Sequence, residues 1–122
     1  MKLLIIEDDP AIRTMIGKML PPEQFETLEA TNGREAMMLL QQQADIEVVI
    51  TDILMPEKEG LETILQLKRN RPDIKILAMS GGGLGSARDY LNMAQELGAD
   101  GTLKKPFIKD ELLDALKRIL PS

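Results

Sequence analysis

The chain of 122 residues contains no cysteine and no histidine. The first absence rules out disulfide frameworks and thiolate metal sites, and the second rules out imidazole acid–base chemistry and imidazole ligands. Any chemistry must therefore come from carboxylates, hydroxyls and amines. Aromatic residues are scarce, with two Phe and one Tyr, so little is available to flank a flat cofactor. Long hydrophobic runs are missing too. The N-terminal Met1-Lys2-Leu3-Leu4-Ile5-Ile6 offers four apolar residues before Glu7-Asp8-Asp9, too short for a signal peptide or a membrane span. A soluble, cytoplasmic protein without a membrane partner is expected. Positive charge is in deficit: the formal net charge is -5, and no cluster of Lys and Arg supplies the face that nucleic-acid binding needs.

What is present suffices for one compact domain over residues 1–122, since 43% of the residues are hydrophobic. Apolar, β-branched runs recur at Leu3–Ile6, Val48–Thr51 and Ile74–Met79, with weaker ones at Phe25–Ala30 and Gly101–Leu103. Segments of helical period lie between and after them, for example Ile12, Met15, Ile16 and Met19, or Leu112, Leu113, Leu116 and Leu120. Asp9-Pro10 suits a helix start, Asn32 with Glu35 resembles a capping box, and Gly98 fits a helix stop. Strict alternation of strand and helix predicts an α/β fold: a flavodoxin-like (βα)5 three-layer sandwich with a five-stranded parallel sheet. The flavodoxin-like order 2-1-3-4-5 is favoured, and the charged, alternating Phe25–Ala30 run suits an edge strand better than the centre. Met15, Met19, Met37, Met38 and Met93 are expected to pack helices.

In open parallel sheets, ligands bind beyond the carboxyl ends of the strands, where strand order reverses. The polar residues at those ends are Glu7-Asp8-Asp9, Asp52, Ser80 and Lys104-Lys105-Pro106. Asp9, before Pro10, is expected to cap the helix, and Lys104 to be a solvated neighbour. Crowded carboxylates repel and raise one another's pKa unless a cation intervenes. Mg²⁺, which prefers octahedral oxygen ligands and keeps several waters, fits two or three carboxylates plus a substrate phosphate oxygen.

These residues carry a family resemblance. Leu3-Leu4-Ile5-Ile6-Glu7-Asp8-Asp9-Pro10, then Val49-Ile50-Thr51-Asp52-Ile53-Leu54-Met55-Pro56 with Gly60, then Ala78-Met79-Ser80, and lastly Lys105-Pro106-Phe107 together resemble the receiver domain of two-component response regulators. The resemblance spans essentially the whole chain. It implies that a sensor histidine kinase or histidine phosphotransfer protein donates a phosphoryl group to Asp52. It implies Mg²⁺ held by Glu7, Asp8, Asp52 and the backbone carbonyl of Leu54, with Ser80 as the switch hydroxyl. Lys105 would pair with the phosphoryl group, and its bond to Pro106 would be cis. Phosphorylation would then reshape the face of helix 4, strand 5 and helix 5 to control a downstream protein or output domain, and the chain would be a signalling protein rather than an enzyme. The kinase-facing surface would include Ala11, Ile12 and Met15, with the loops around Pro56 and Pro106.

Two departures from the family pattern carry expectations. Thr102 stands where an aromatic switch residue is usual, so the conformational change is expected to run through the Ser80 loop and helix 4. Leu54 and Gly82, at positions that usually tune hydrolysis, have no side chain able to orient water, so autodephosphorylation is expected to be slow. The run Gly81-Gly82-Gly83-Leu84-Gly85 is no P-loop, because no Gly-Lys-[Ser/Thr] closes it. It is expected to act as a hinge behind Ser80. With the chain ending at Leu120-Pro121-Ser122, a stand-alone receiver is expected. The competing functions are a flavodoxin-like electron carrier, which would need a hydroxyl-rich phosphate loop and aromatics; a small Mg²⁺-dependent phosphatase, which would need a second acid two residues after Asp52; and a constitutive receiver-like binding module.

Overall fold

In the computed structural model, which describes residues 1–53, 59–81 and 87–121, strands and helices alternate along the chain. They are β1 (Lys2–Ile6), α1 (Pro10–Met19), β2 (Glu26–Ala30), α2 (Gly33–Gln42), β3 (Ile46–Asp52), α3 (Glu59–Asn70), β4 (Lys75–Gly81), α4 (Ala87–Leu97), β5 (Gly101–Lys105) and α5 (Lys109–Ile119). The five strands form one sheet in the order β2-β1-β3-β4-β5, all pairs parallel. The expected fold and strand order are both observed.

The pleat divides the sheet's side chains between two cores. Leu4, Ile6, Val49, Ile76 and Ala78 point to one face, where Ala36 and Leu40 of α2, Leu61, Ile64 and Leu67 of α3 and Ala94 of α4 cover them. Leu3, Ile5, Val48, Ile50, Leu77 and Met79 point to the other, under Ile16 of α1 and Leu112, Ala115 and Leu116 of α5. Burial on both faces explains why β1, β3 and β4 read as unbroken apolar runs. At the edge, β2 leaves Glu26 and Glu29 exposed.

Local signals set the ends of several helices. The Asp9 side chain accepts from the Ala11 N–H at 2.9 Å, with Pro10 opening the helix. Asn32 accepts from the Glu35 N–H at 2.9 Å. The reciprocal arm differs from the expected capping box, because the Glu35 carboxylate takes the N–H of Thr31 at 2.7 Å rather than that of Asn32. Gly98, at φ 123, ends α4: its N–H bonds the Gln95 carbonyl at 3.1 Å and the Ala99 N–H bonds that of Ala94 at 2.9 Å. Those two bonds form a Schellman closure.

Two expectations are corrected. Phe25 precedes β2, its N–H bonded to the Pro21 carbonyl at 3.0 Å in a turn; it is buried against the α1/α5 core instead of pairing in the ladder. The methionines do not all pack. Met19 and Met37 lie against the cores, but Met15, Met38 and Met93 are exposed, because the buried stripes of their helices are filled by Ile16, by Ala36 and Leu40, and by Ala94.

Candidate functional site

The parallel register brings the ends of β1, β3, β4 and β5 to one rim of the sheet. Asp52 closes β3 opposite Met79, and the next residue keeps the ladder going through the Ile53 N–H to the Met79 carbonyl at 2.9 Å. Ser80 and Gly81 stand opposite Lys104 and Lys105 at the ends of β4 and β5. Glu7 follows β1, its N–H still bonded to the Ala30 carbonyl of β2 at 3.1 Å. Residues far apart in sequence thus meet because consecutive parallel strands all point the same way.

Lys105 bridges two carboxylates there. Its ammonium donates to Glu7 Oε1 at 2.8 Å and to Asp52 Oδ2 at 3.1 Å. Glu7 and Asp52 are buried, at 1% and 4% exposure, whereas Asp8 is exposed. The carboxylate oxygens of Glu7, Asp8 and Asp52 lie within 4.8 Å of one another. Burial pushes the Glu7 carboxyl above its ordinary value, helped by the Asp8 side chain and the charge of Asp52, with Lys105 opposing. Burial acts to lower Lys105, but the Glu7 hydrogen bond and the Asp52 charge outweigh it and hold the ammonium above its ordinary value. The pocket therefore keeps its cation firmly and crowds its anions.

Ser80 is fully buried, and its hydroxyl has no hydrogen-bond partner among the described residues. A buried hydroxyl left unpaired costs about 1–3 kcal/mol. The peptide bond between Lys105 and Pro106 is cis, as the resemblance implies. Beside the carboxylates, Ile12 and Met15 of α1 face Gly81, Lys105, Pro106 and Phe107 across a mostly apolar groove of about 380 Å³. Ala11 is exposed on the same helix. Thr102 pairs with Ala78 near the start of β5 and is half-buried. Leu54, Pro56, Gly82 and Gly83 lie outside the described residues.

Two further residues, outside the expected site set, lie against the backbone of the pocket. Arg13 of α1 donates to the Glu7 backbone carbonyl at 2.8 Å. Gly60 of α3 lies so close to the end of β3 that a Cβ there would stand 2.4 Å from Ile53 Cα and 2.7 Å from the Asp52 carbonyl oxygen. Gly60 was visible only as a motif member, and an arginine on an amphipathic helix carries no distinguishing pattern.

Comparison with known proteins gives a consistent picture. Residues 3–117 match the model of one family, the response regulator receiver domain. The chain is 36% identical over 120 residues to the chemotaxis protein CheY of Listeria monocytogenes, covering 97% of each. It is 30% identical over 120 residues to sporulation initiation phosphotransferase F of Bacillus subtilis, covering 98% of this chain and 94% of that protein. It also matches CpxR transcriptional regulators, of which it spans about half, 49% of the Klebsiella pneumoniae protein. Among solved structures, a response regulator receiver domain protein from Clostridium thermocellum superposes with a TM-score of 0.85 at 28% identity, over 97% of this chain and 92% of that one.

Proposed function

Because the chain belongs to the response regulator receiver domain family, and hence to phosphorelay signal transduction, we propose that Asp52 is its phosphoacceptor. The observation that carries this reading is the placement of a buried Asp52 carboxylate 3.1 Å from the Lys105 ammonium and beside Glu7 and Asp8. A carboxylate oxygen of Asp52 attacks the phosphorus of a partner's phosphohistidine. The new P–O bond forms as the P–N bond breaks, and the imidazole departs. Lys105 meets the negative charge gathered on the transferred group, and the buried Ser80 hydroxyl gains the acceptor it lacks. That new bond draws the end of β4 toward Asp52, which is how occupancy of the site becomes a change of shape in α4, β5 and α5.

Glu7, Asp8 and Asp52 have the chemistry and spacing for Mg²⁺. One ligand oxygen from each of the three lies within 4.8 Å of the others, so that these carboxylates would together hold a small, hard divalent cation. When bound, Mg²⁺ supplies charge neutralisation for the transferring oxygens. Asp8, as the exposed member, is the entry side.

The donor is a sensor histidine kinase or histidine phosphotransfer protein, and the groove between Ile12, Met15 and Pro106 gives it an apolar seat next to Asp52. The product acts on a downstream protein or an output domain. Such a chain works in the cytoplasm as a signalling protein that turns over only its own phosphoryl group, not as an enzyme acting on an external substrate. Among the described residues, no helix is long and apolar enough to cross a membrane. A flavodoxin-like electron carrier is not favoured: acidic residues stand where its phosphate loop would be, and the chain has two Phe and one Tyr.

The test is incubation with a small phosphodonor and Mg²⁺, followed by mass measurement. The wild type should gain one phosphoryl group and Asp52→Ala none; equal gain in both would overturn the assignment.

A further inference from the structure

Glu7 is held at four points. Its N–H bonds the Ala30 carbonyl at 3.1 Å, its Oε2 accepts from the Asp9 N–H at 3.2 Å, and its Oε1 accepts from Lys105 at 2.8 Å. The fourth anchor, on its carbonyl oxygen, comes from Nη1 of Arg13 at 2.8 Å. That guanidinium is itself held from the other side, because Nε donates to Glu29 Oε1 of β2 at 3.1 Å. Arg13 thus ties α1, β2 and the end of β1 together at one peptide group.

The Glu7 carbonyl belongs to the peptide that joins Glu7 to Asp8. Rotating that peptide changes where both neighbouring side chains start, so whatever fixes its oxygen fixes the relative placement of two pocket carboxylates. A guanidinium suits the task, since its planar fork engages two acceptors in fixed directions. The Arg13 side chain is only 18% exposed, so water competes weakly for either bond.

We propose that Arg13 is a positioning residue of the acidic pocket, fixing the Glu7–Asp8 peptide from α1 and β2 so that the Glu7 and Asp8 carboxylates stand ready for a divalent cation. The part concerning the cation rests on the Mg²⁺ reading above; the part concerning the peptide does not. Partners of this outer kind typically change metal affinity by about 10- to 100-fold when lost. A bond to the ligand's backbone rather than to its carboxylate belongs at the lower end.

The experiment compares wild type, Arg13→Met, Arg13→Lys and Glu29→Gln as ¹⁵N-labelled proteins. Amide shifts of Asp8 and Asp9 without metal read the peptide, and a Mg²⁺ titration of the same samples reads the affinity. Arg13→Met should move both amides and raise the Mg²⁺ dissociation constant about tenfold. Arg13→Lys, which can still donate to the Glu7 carbonyl, should recover about half of each change. Glu29→Gln, which leaves Arg13 its bond to Glu7 but removes its charged partner, should show smaller changes in the same direction. A merely structural arginine would give Arg13→Met a lower unfolding midpoint with wild-type Asp8 and Asp9 amides and wild-type Mg²⁺ affinity, and that result overturns the proposal. Should Arg13→Met not fold, the same two readouts on Glu29→Gln decide. If the wild type itself binds no Mg²⁺, the metal reading fails and the amide shifts alone decide on Arg13.

Discussion

Ser80 carries a cost in the structure that the proposed function would turn to use. Its hydroxyl is buried and without a hydrogen-bond partner among the described residues, so the unphosphorylated protein carries an unmet polar group. Replacing it with alanine removes that cost at the expense of a small void. Ser80→Ala should therefore stabilise the unphosphorylated form by about 1 kcal/mol in urea unfolding, while losing the shape change on phosphorylation. A variant less stable than wild type would mean that the hydroxyl is satisfied in solution. Asp52, Lys105 and Glu7 are legible from the sequence by type as well as by place, because charged residues at the ends of apolar strands have few reasons to be there, whereas Ser80 is legible by its place in the motif alone. A serine before glycines is ordinary turn chemistry, and only burial separates the two readings. Arg13 was not legible at all, since its bond to Glu7 is to a backbone carbonyl, which no side-chain pattern encodes.

At the scale of elements, two glycines make opposite predictions from the same substitution. A Cβ on Gly60 would meet the backbone of Ile53 and Asp52 at 2.4 to 2.8 Å, so Gly60→Ala must push α3 away from β3 or shift the Asp52 backbone. It should destabilise by about 1–3 kcal/mol and slow phosphorylation at saturating Mg²⁺. A Cβ on Gly17 in α1 meets nothing within 4 Å. Gly17→Ala should stabilise by about 0.5–1 kcal/mol through helix propensity alone and leave phosphorylation unchanged. Unfolding curves and phosphorylation time courses on both variants check the pair. The strands and helices themselves were readable because a doubly covered sheet writes itself as unbroken apolar runs, and Asp9, Asn32 and Gly98 mark their boundaries with backbone-directed chemistry. Phe25 falls outside β2 against expectation because an apolar residue next to a strand looks like part of it, while a turn bond to Pro21 has no sequence signature. Met15, Met38 and Met93 are exposed against expectation because helical period alone does not say which of two adjacent apolar positions faces the core.

For the molecule as a whole, a net charge of -5 means that any cation will lower self-repulsion to some degree, so stabilisation by Mg²⁺ needs a form that only a specific site produces. With one site, each tenfold rise in free Mg²⁺ above its dissociation constant adds about 1.4 kcal/mol to the unfolding free energy. That slope should appear in denaturant titrations of the wild type and be lost in Asp8→Asn. A shallow dependence shared by both proteins would indicate general screening and no bound ion.

The bond between Lys105 and Glu7 joins residues 98 positions apart, one just past the first strand and the other at the end of the last. Lys105 sits on β5, an outer strand of the sheet. The pocket is therefore complete only in a chain that has been synthesised past its fifth strand and has docked that strand. A copy without a docked fifth strand keeps Asp52 but lacks the lysine beside it. Under the proposed function, readiness to receive a message would thus be a certificate that the sheet has been completed from its first strand to its last.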